Sequence, residues 1–192
     1  MIERETKETR IRCSMSPGNG RSTVEFSGVA AGSEPGRAGD GVVLFAKHMF
    51  DTLAKWSEFD LDLSVIAKDG LAHHAIEDAA IGIGQALRSS LDTGAIERTA
   101  HCIMPMDDAL VSVALDLVER PYYEGPLPDP LMDHVLRSIA TEGKLTIHVM
   151  TLRGRDPHHI VEAAFKGLGL CLGRATRPRQ TRLSTKGQVE YR

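Results

Sequence analysis

The hydrophobic pattern of the chain switches between two periods, and it does so twice in a similar order. In the first part, apolar and polar residues alternate over 8–15, 22–27 and Phe59–Ala67, which predicts strands with one buried face. Apolar residues recur every three or four positions from Val43 to Trp56 and from His73 to Leu91. This spacing predicts two amphipathic helices.

The second part of the chain repeats this alternation. Its predicted elements are a strand near Ile96–Ile103, a strand over Ala109–Leu117, a helix over Leu131–Thr141, a strand over Lys144–Leu152 and a helix over His158–Ala175. Tyr122–Pro130 holds three prolines and is predicted to be a loop. Each half is therefore predicted to run strand–strand–helix–strand–helix.

These elements predict an α+β fold in which a four-helix bundle is packed between two β-sheets. Neither half could bury enough apolar surface alone, so residues 1–192 are expected to form one domain, with half-repeats at about 1–93 and 94–176. The tail, 177–192, is basic and polar, and is expected to order only against a ligand or a neighbouring subunit.

Composition excludes several classes of function. The chain has 192 residues, 42% of them hydrophobic, with a net charge of −3, which gives no electrostatic reason to bind nucleic acid or a membrane surface. It contains no apolar run of about 18 residues, and its charged N-terminus lacks a signal core, so a cytoplasmic protein is expected. The three cysteines are interpreted as reduced, buried thiols, with metal ligation as the alternative.

Two matching pentads carry the candidate chemistry. Residues 73–77 and 158–162 both have the pattern HHxxE and lie 85 positions apart. On a helix, Glu77 is adjacent to both His73 and His74, but the two histidines point about 100° apart. We therefore expect the first histidine and the glutamate of each pentad to bind one metal ion, and the second histidine to reach another.

Further histidines could complete these sites. Adding His48 and His148 to the pentads gives six imidazoles and two carboxylates, enough for two sites with three histidines and one glutamate each. Such ligands suit Mn, Zn, Fe or Ni, and the sequence does not rank them. A shift of 86 positions aligns His48 with His134, and the sequence does not separate these two.

Five polar residues are candidate phosphate ligands, with scattered surface charge as the alternative interpretation. Arginine would give bidentate contacts and lysine a point charge. The residues are Arg98, Arg120, Lys166, Ser184 and Lys186.

Many short motifs, in order over about residues 4–187, resemble the imidazoleglycerol-phosphate dehydratase family of histidine biosynthesis. They are Arg4-x-Thr6-x-Glu8-Thr9, Phe45-x-x-His48-Met49, Asp60–Leu63, HHAIED at 73–78, Pro105–Leu110, Arg120–Tyr122, Leu145–His148, HHIVEAAFK at 158–166 and Ser184–Gly187.

The resemblance implies two Mn²⁺ ions per chain and a 24-subunit shell with active sites at subunit interfaces. The implied metal ligands are His48, His73, His74, Glu77, His148, His158, His159 and Glu162. The implied phosphate contacts are the five candidates named above. Glu8, Glu77 and Glu162 are candidate proton carriers, and Asp107 falls in a motif near the site. The implied reaction removes water from imidazoleglycerol phosphate to give imidazole acetol phosphate.

The chain departs from the family pattern near the pentads. Lys47 and Leu71–Ala72 stand where acidic residues are usual, Val118–Glu119 replaces Ser-Gly, and Asp156 replaces Asn. Lost acids could loosen the orientation of the histidines. An active enzyme is still expected. The alternatives are a non-catalytic metal-binding assembly protein on the same scaffold, or an enzyme for a different phosphorylated azole.

Overall fold

The structure, a computed structural model, describes residues 1–30, 39–91, 94–181 and 183. The first half contains β1 (Ile2–Glu5), β2 (Thr9–Pro17), β3 (Ser22–Ser27), α1 (Gly39–Ser57), β4 (Phe59–Ala67) and α2 (Ala72–Ser90). The second half contains β5 (Thr99–Met106), β6 (Ala109–Asp116), β7 (Tyr122–Glu124), α3 (Pro130–Gly143), β8 (Thr146–Arg153) and α4 (Pro157–Ala175).

The α+β class and the repeated halves are confirmed, with one more strand in each half than the pattern predicted. The extra strand β1 has four residues and β7 has three. Strands this short show too few alternations to be recognised by their period. The prediction of a loop throughout Tyr122–Pro130 was wrong for the residues of β7, which pair in parallel with β8.

The two sheets have the same topology. Their strand orders are β1-β2-β4-β3 and β5-β6-β8-β7. In each sheet the last pair is parallel and is joined through a helix, α1 or α3, whereas the other pairs are antiparallel. The internal repeat of the sequence is therefore a repeat of the whole chain path.

Strand alternation places the core between the sheets and the helices. Ile11, Cys13 and Met15 of β2 are buried, while the intervening Arg10 and Arg12 are exposed. Helix α2 packs on β2, and α4 packs on β5 and β6. Each of these helices also pairs with a helix of the other half, α2 with α3 and α4 with α1, so the halves share one buried cluster.

Two glycines at equivalent positions allow these helix pairs to approach closely. A Cβ added at Gly84 would lie 3.0 Å from the carbonyl oxygen of Ile139 on α3. A Cβ added at Gly169, 85 positions later, would lie 2.9 Å from the carbonyl oxygen of Leu53 on α1. Both distances are too short for any larger residue without movement of the neighbouring backbone.

The cysteines are buried and free, as predicted for reduced thiols. Burial raises the pKa of Cys13 to about 12. Of the tail, the structure describes 177–181 and 183, where Pro178 forms an isolated bridge with Ile96. Among the described helices, none combines the length and apolar character needed to cross a bilayer.

Candidate metal centre and active site

Both pentads lie at the start of a helix. Pro157 begins α4, and the side chain of Asp156 caps this helix by accepting a 2.8 Å hydrogen bond from the backbone N–H of His158. Helix α2 begins at Ala72 after Leu71, which has extended backbone angles but makes no capping bond through its side chain. The histidines of both pentads therefore lie in the first turn of their helices, where their side chains remain accessible.

A first cluster consists of His48, His158 and Glu162. Nε2 of His48 lies 3.5 Å from Oε2 of Glu162, and Nε2 of His158 lies 3.3 Å from the same oxygen. One ligand atom from each residue falls within 4.8 Å of the others. Two imidazole nitrogens and a carboxylate at this separation fit a divalent transition metal, whose bonds to such ligands are about 2.0–2.2 Å long.

A second cluster with the same residue types lies on the other helix pair, but its ligand atoms are spread more widely than those of the first. It consists of Glu77, with His134 Nε2 at 3.0 Å from Oε1 and His73 Nε2 at 3.7 Å from Oε2. The imidazole rings of His73 and His134 are 6.2 Å apart, the same separation as between the rings of His48 and His158. His134 was not among the predicted ligands, although its alignment with His48 carried the signal.

The structure brings His148 to neither cluster. This residue is exposed on β8 between the buried Ile147 and Val149, so its side chain projects from the sheet face opposite the helices. Its ring lies 5.3 Å from that of Tyr122. Within one chain, the strand alternation directs His148 away from the helix bundle, so its role as a ligand stays a prediction for a site that a neighbouring copy completes.

The rings of the two histidines in each pentad are nearly perpendicular. The ring of His74 is inclined by 78° to that of His73, and the ring of His159 by 84° to that of His158. Nδ1 of His74 is 2.6 Å from Asp69, and Nδ1 of His159 is 2.7 Å from Asp108. An imidazole held by a carboxylate at Nδ1 is oriented to bind metal through Nε2.

These acid–imidazole pairs shift the pKa of both partners. The hydrogen bond from His159, with others from the backbone N–H groups of Arg155 and Asp156, lowers the pKa of Asp108 to about 2. In return, the bond to Asp108 raises the pKa of His159. Each partner therefore stabilises the charged form of the other, which keeps the ring orientation fixed.

The equivalent pair in the first half behaves alike. The pKa of Asp69 is lowered by the backbone N–H of Leu71 and then by His74, and the pKa of His74 is raised by Asp69. In the first cluster, burial alone would raise the pKa of Glu162. Hydrogen bonds and charge from Lys166 and His48 outweigh burial and lower that pKa. The carboxylate is thus held in the ionised form that a metal requires.

The remaining predicted acids lie in hairpin turns beside the second histidines. Glu8, in the β1–β2 turn, is exposed and has Oε2 at 3.9 Å from Nδ1 of His74. Asp107, in the β5–β6 turn, has a positive φ of 48° and Oδ2 at 3.3 Å from Nε2 of His159. Both acids therefore stand close to a histidine predicted to bind metal.

Only one described phosphate candidate lies at a cluster. Nζ of Lys166 is 2.8 Å from Oε1 of Glu162 and 5.9 Å from the centre of the Trp56 ring. Arg98 and Arg120 lie at the far end of the β5–β6 hairpin from Asp107. At about 3.4 Å per residue, eight-residue strands separate the two ends by roughly 24 Å.

Arg98 is held in place at that far end. It has a positive φ of 65°, its Nε lies 2.9 Å from Asp116 Oδ1, and its NH1 donates a 2.8 Å hydrogen bond to the carbonyl of Leu183. This bond ties it to the tail just before Ser184 and Lys186, two phosphate candidates that lie outside the described residues.

Comparison with known proteins identifies the family. Residues 42–172 match the family model described as imidazoleglycerol-phosphate dehydratase. The chain belongs to the imidazoleglycerol-phosphate dehydratase family. A relative of that name from Desulfitobacterium hafniense is 39% identical over 203 residues, covering 97% of this chain and 95% of the relative. Another of that name, from Desulforudis audaxviator, is 38% identical and covers 98% of this chain and 96% of the relative.

Solved structures of the family share the fold. The dehydratase of Pyrococcus furiosus, solved in complex with (S)-C348, has a TM-score of 0.77 and 33% identity, covering 98% of this chain and 100% of that one. The dehydratase of Staphylococcus aureus has a TM-score of 0.70 and 25% identity, covering 92% of this chain and 98% of that one. The family predicted from the motifs is thus confirmed.

Proposed function

We propose that this protein removes water from imidazoleglycerol phosphate to give imidazole acetol phosphate in histidine biosynthesis, as a carbon–oxygen hydro-lyase of the cytoplasm. The observation that carries the proposal is the pair of matching imidazole–carboxylate clusters in a chain of the dehydratase family. Two copies of one ligand arrangement suit a substrate whose azole ring offers two nitrogens.

Each cluster would hold one divalent ion, which we propose is Mn²⁺. In this proposal His134 joins the Glu77 site, because its Nε2 already lies 3.0 Å from that carboxylate. His148, on the outer face of β8, would bind a metal of a neighbouring copy. His74 and His159 would each supply one further ligand atom. When bound, the metals would stabilise the imidazolate form of the substrate ring, from which the side-chain hydroxyl departs more readily.

We further propose that complete active sites form between subunits, in a shell of 24 copies. Two observations support an intersubunit site. Nδ1 of His74 and Nδ1 of His159 are held by Asp69 and Asp108 rather than by the glutamates of their own pentads. Arg98 and Arg120 stand a whole hairpin away from Asp107. Since a substrate of this size cannot bridge roughly 24 Å, these arginines would serve a site on a neighbouring copy.

Proton movement is assigned to residues with a free oxygen near the ring site. Glu8 is exposed, and its Oε2 lies 3.9 Å from Nδ1 of His74, which Asp69 binds more closely at 2.6 Å. Glu77 and Glu162 would act only through an oxygen not bound to metal, and Asp107 would assist His159 from the opposite turn. Glu8 is therefore the first candidate for general acid–base work.

The phosphate would be positioned by the five cationic or hydroxyl candidates, namely Arg98, Arg120, Lys166, Ser184 and Lys186. The position of Lys166 supports this, because its ammonium stands 2.8 Å from a cluster carboxylate with its side chain largely buried. It could approach a phosphate on a ring bound at that cluster without large movement. Such contacts hold the reacting carbon in place.

The direct test is turnover by the purified, Mn²⁺-loaded protein, with His73→Ala as the matched control. Release of imidazole acetol phosphate by the unaltered protein, lost in the variant, supports the proposal. No turnover above the variant refutes it. Growth of a histidine auxotroph on the gene gives the same answer in a cell. Metal-dependent assembly without binding of a phosphate ester would instead favour the non-catalytic metal-binding assembly protein.

A further inference from the structure

A buried carboxylate lies directly after the metal-ligand glutamate of α2. Asp78 is only 7% exposed. The hydroxyl of Thr9, which is fully buried, donates a hydrogen bond to Oδ2 of Asp78, and NH1 of Arg4 lies 2.6 Å from the same oxygen. Burying a charge is costly unless it is paired in this way, so the three side chains form a unit.

The other half of the chain shows that the fold does not require this unit. Asp78 aligns with Ala163 at the 85-residue shift. Thr9 and Ala109 are each the first residue of the second strand in their sheet. Both alanines are buried, so neither position carries a polar side chain in the second half. The polar pair of the first half therefore serves something that the second half lacks.

The two halves also differ in the acid that directly precedes the second strand of each sheet. In the second half, the turn before the strand supplies Asp108, which binds Nδ1 of His159 at 2.7 Å. In the first half, Asp69 already binds Nδ1 of His74, and Glu8 stands 3.9 Å away. Because Asp69 orients His74, the Glu8 carboxylate is available to a substrate, but its position must be held by other contacts.

We propose that Asp78 is a positioning residue: it holds Thr9 and Arg4 at the start of β2, and thereby fixes the Glu8 carboxylate beside His74. The backbone of Glu8 is fixed as well, because its carbonyl accepts a 2.7 Å hydrogen bond from the N–H of Lys68. The inference rests on the proposed function, in which Glu8 moves a proton.

The test compares Thr9→Val, which removes the hydroxyl at nearly constant volume, with Thr9→Ser, which keeps it. We expect Thr9→Val to lower kcat by about ten- to a hundredfold, with KM changed less than about threefold, and Thr9→Ser to retain most activity. Thr9→Ala/Asp78→Ala reproduces the alanine pair of the second half, and is expected to fold, bind metal and lose kcat as Thr9→Val does.

Each change is then repeated in a Glu8→Gln background. Because Thr9 and Asp78 act through Glu8, adding Thr9→Val there should lower kcat less than about twofold. An equal factor in both backgrounds would show that the unit acts elsewhere, and unchanged kcat in Thr9→Val would overturn the proposal outright.

A second readout separates this inference from the proposed function. Absence of turnover by the unaltered protein would refute the function alone. Hydrogen exchange of the Lys68 amide, which reports the Glu8 carbonyl contact, is expected to be faster in Thr9→Val than in Thr9→Ser. Equal exchange in the two variants would contradict the anchoring role whether or not the protein is an enzyme.

Discussion

Replacing Leu71 by aspartate should stabilise helix α2, because the backbone at this position is already that of an N-cap. Leu71 has φ −87° and ψ 122°, close to the −78° and 116° of Asp156, which caps α4 at the equivalent position. The carboxylate of Asp156 accepts a hydrogen bond from the N–H two residues on, whereas Leu71 makes no side-chain capping bond. A carboxylate at position 71 would occupy the same place at the start of α2 and interact favourably with the helix dipole.

The magnitude follows from measured capping contributions, provided the lost leucine is treated separately. An aspartate cap is worth about 1 kcal/mol over alanine, and its charge adds a few tenths through the helix dipole. Leu71 is 38% exposed, so its removal also costs packing that would mask part of the gain. The difference between Leu71→Asp and Leu71→Ala isolates the cap, at about 1–1.5 kcal/mol.

The assay is urea unfolding of metal-free protein at one fixed concentration, because metal binding and assembly would otherwise add their own stabilisation. Asp156→Ala is the matched control and should lose about 1 kcal/mol. If the control loses this amount while Leu71→Asp is no more stable than Leu71→Ala, then the start of α2 does not have the capping geometry described above.

Three further outcomes are expected. His134→Ala should lower bound metal from two ions to one per chain, measured by atomic emission after gel filtration. In metal-free protein, NMR should find the pKa of Asp108 at about 2, and this pKa should rise towards 3.8 in His159→Asn. Because the pKa is lowered by folding, the stabilisation that Asp108 provides is present above its unfolded pKa and is lost as the pH falls through about 2. Gly84→Ala should lower the free energy of unfolding by about 1–3 kcal/mol, because the added methyl group would meet the backbone of α3. Gly41→Ala, which has open space around it, should raise the free energy of unfolding by up to about 1 kcal/mol, and denaturant unfolding measures both.

The period of the hydrophobic pattern and the internal repeat of the sequence were enough to predict the helices, most strands and the two similar halves. The alternation over Phe59–Ala67 matched β4 residue for residue, because one face of that strand is buried along its full length. The short strands β1 and β7 escaped, since three or four residues carry no recognisable period. Their pairing is decided by partners distant in sequence, which a local pattern does not contain.

Part of the candidate site could also be predicted from local spacing in the sequence. The helical spacing of the pentads was sufficient to join His73 to Glu77 and His158 to Glu162, because residues four apart always meet on a helix. His148 was chosen by counting histidines, and because β8 places it on the face opposite the helices, its role as a ligand depends on a neighbouring copy. The clusters depend on which helices pair, and only the three-dimensional arrangement of α2 and α3 brings His134 to Glu77.

The most direct measurement is anomalous diffraction at the manganese edge from crystals of Mn²⁺-loaded protein. We expect two peaks for each chain, one touching the first cluster and the other touching the second cluster. Nε2 of His74 or His159 should complete each site. Peaks that touch neither Glu77 nor Glu162, or clusters that face solvent with no anomalous signal, would contradict this expectation.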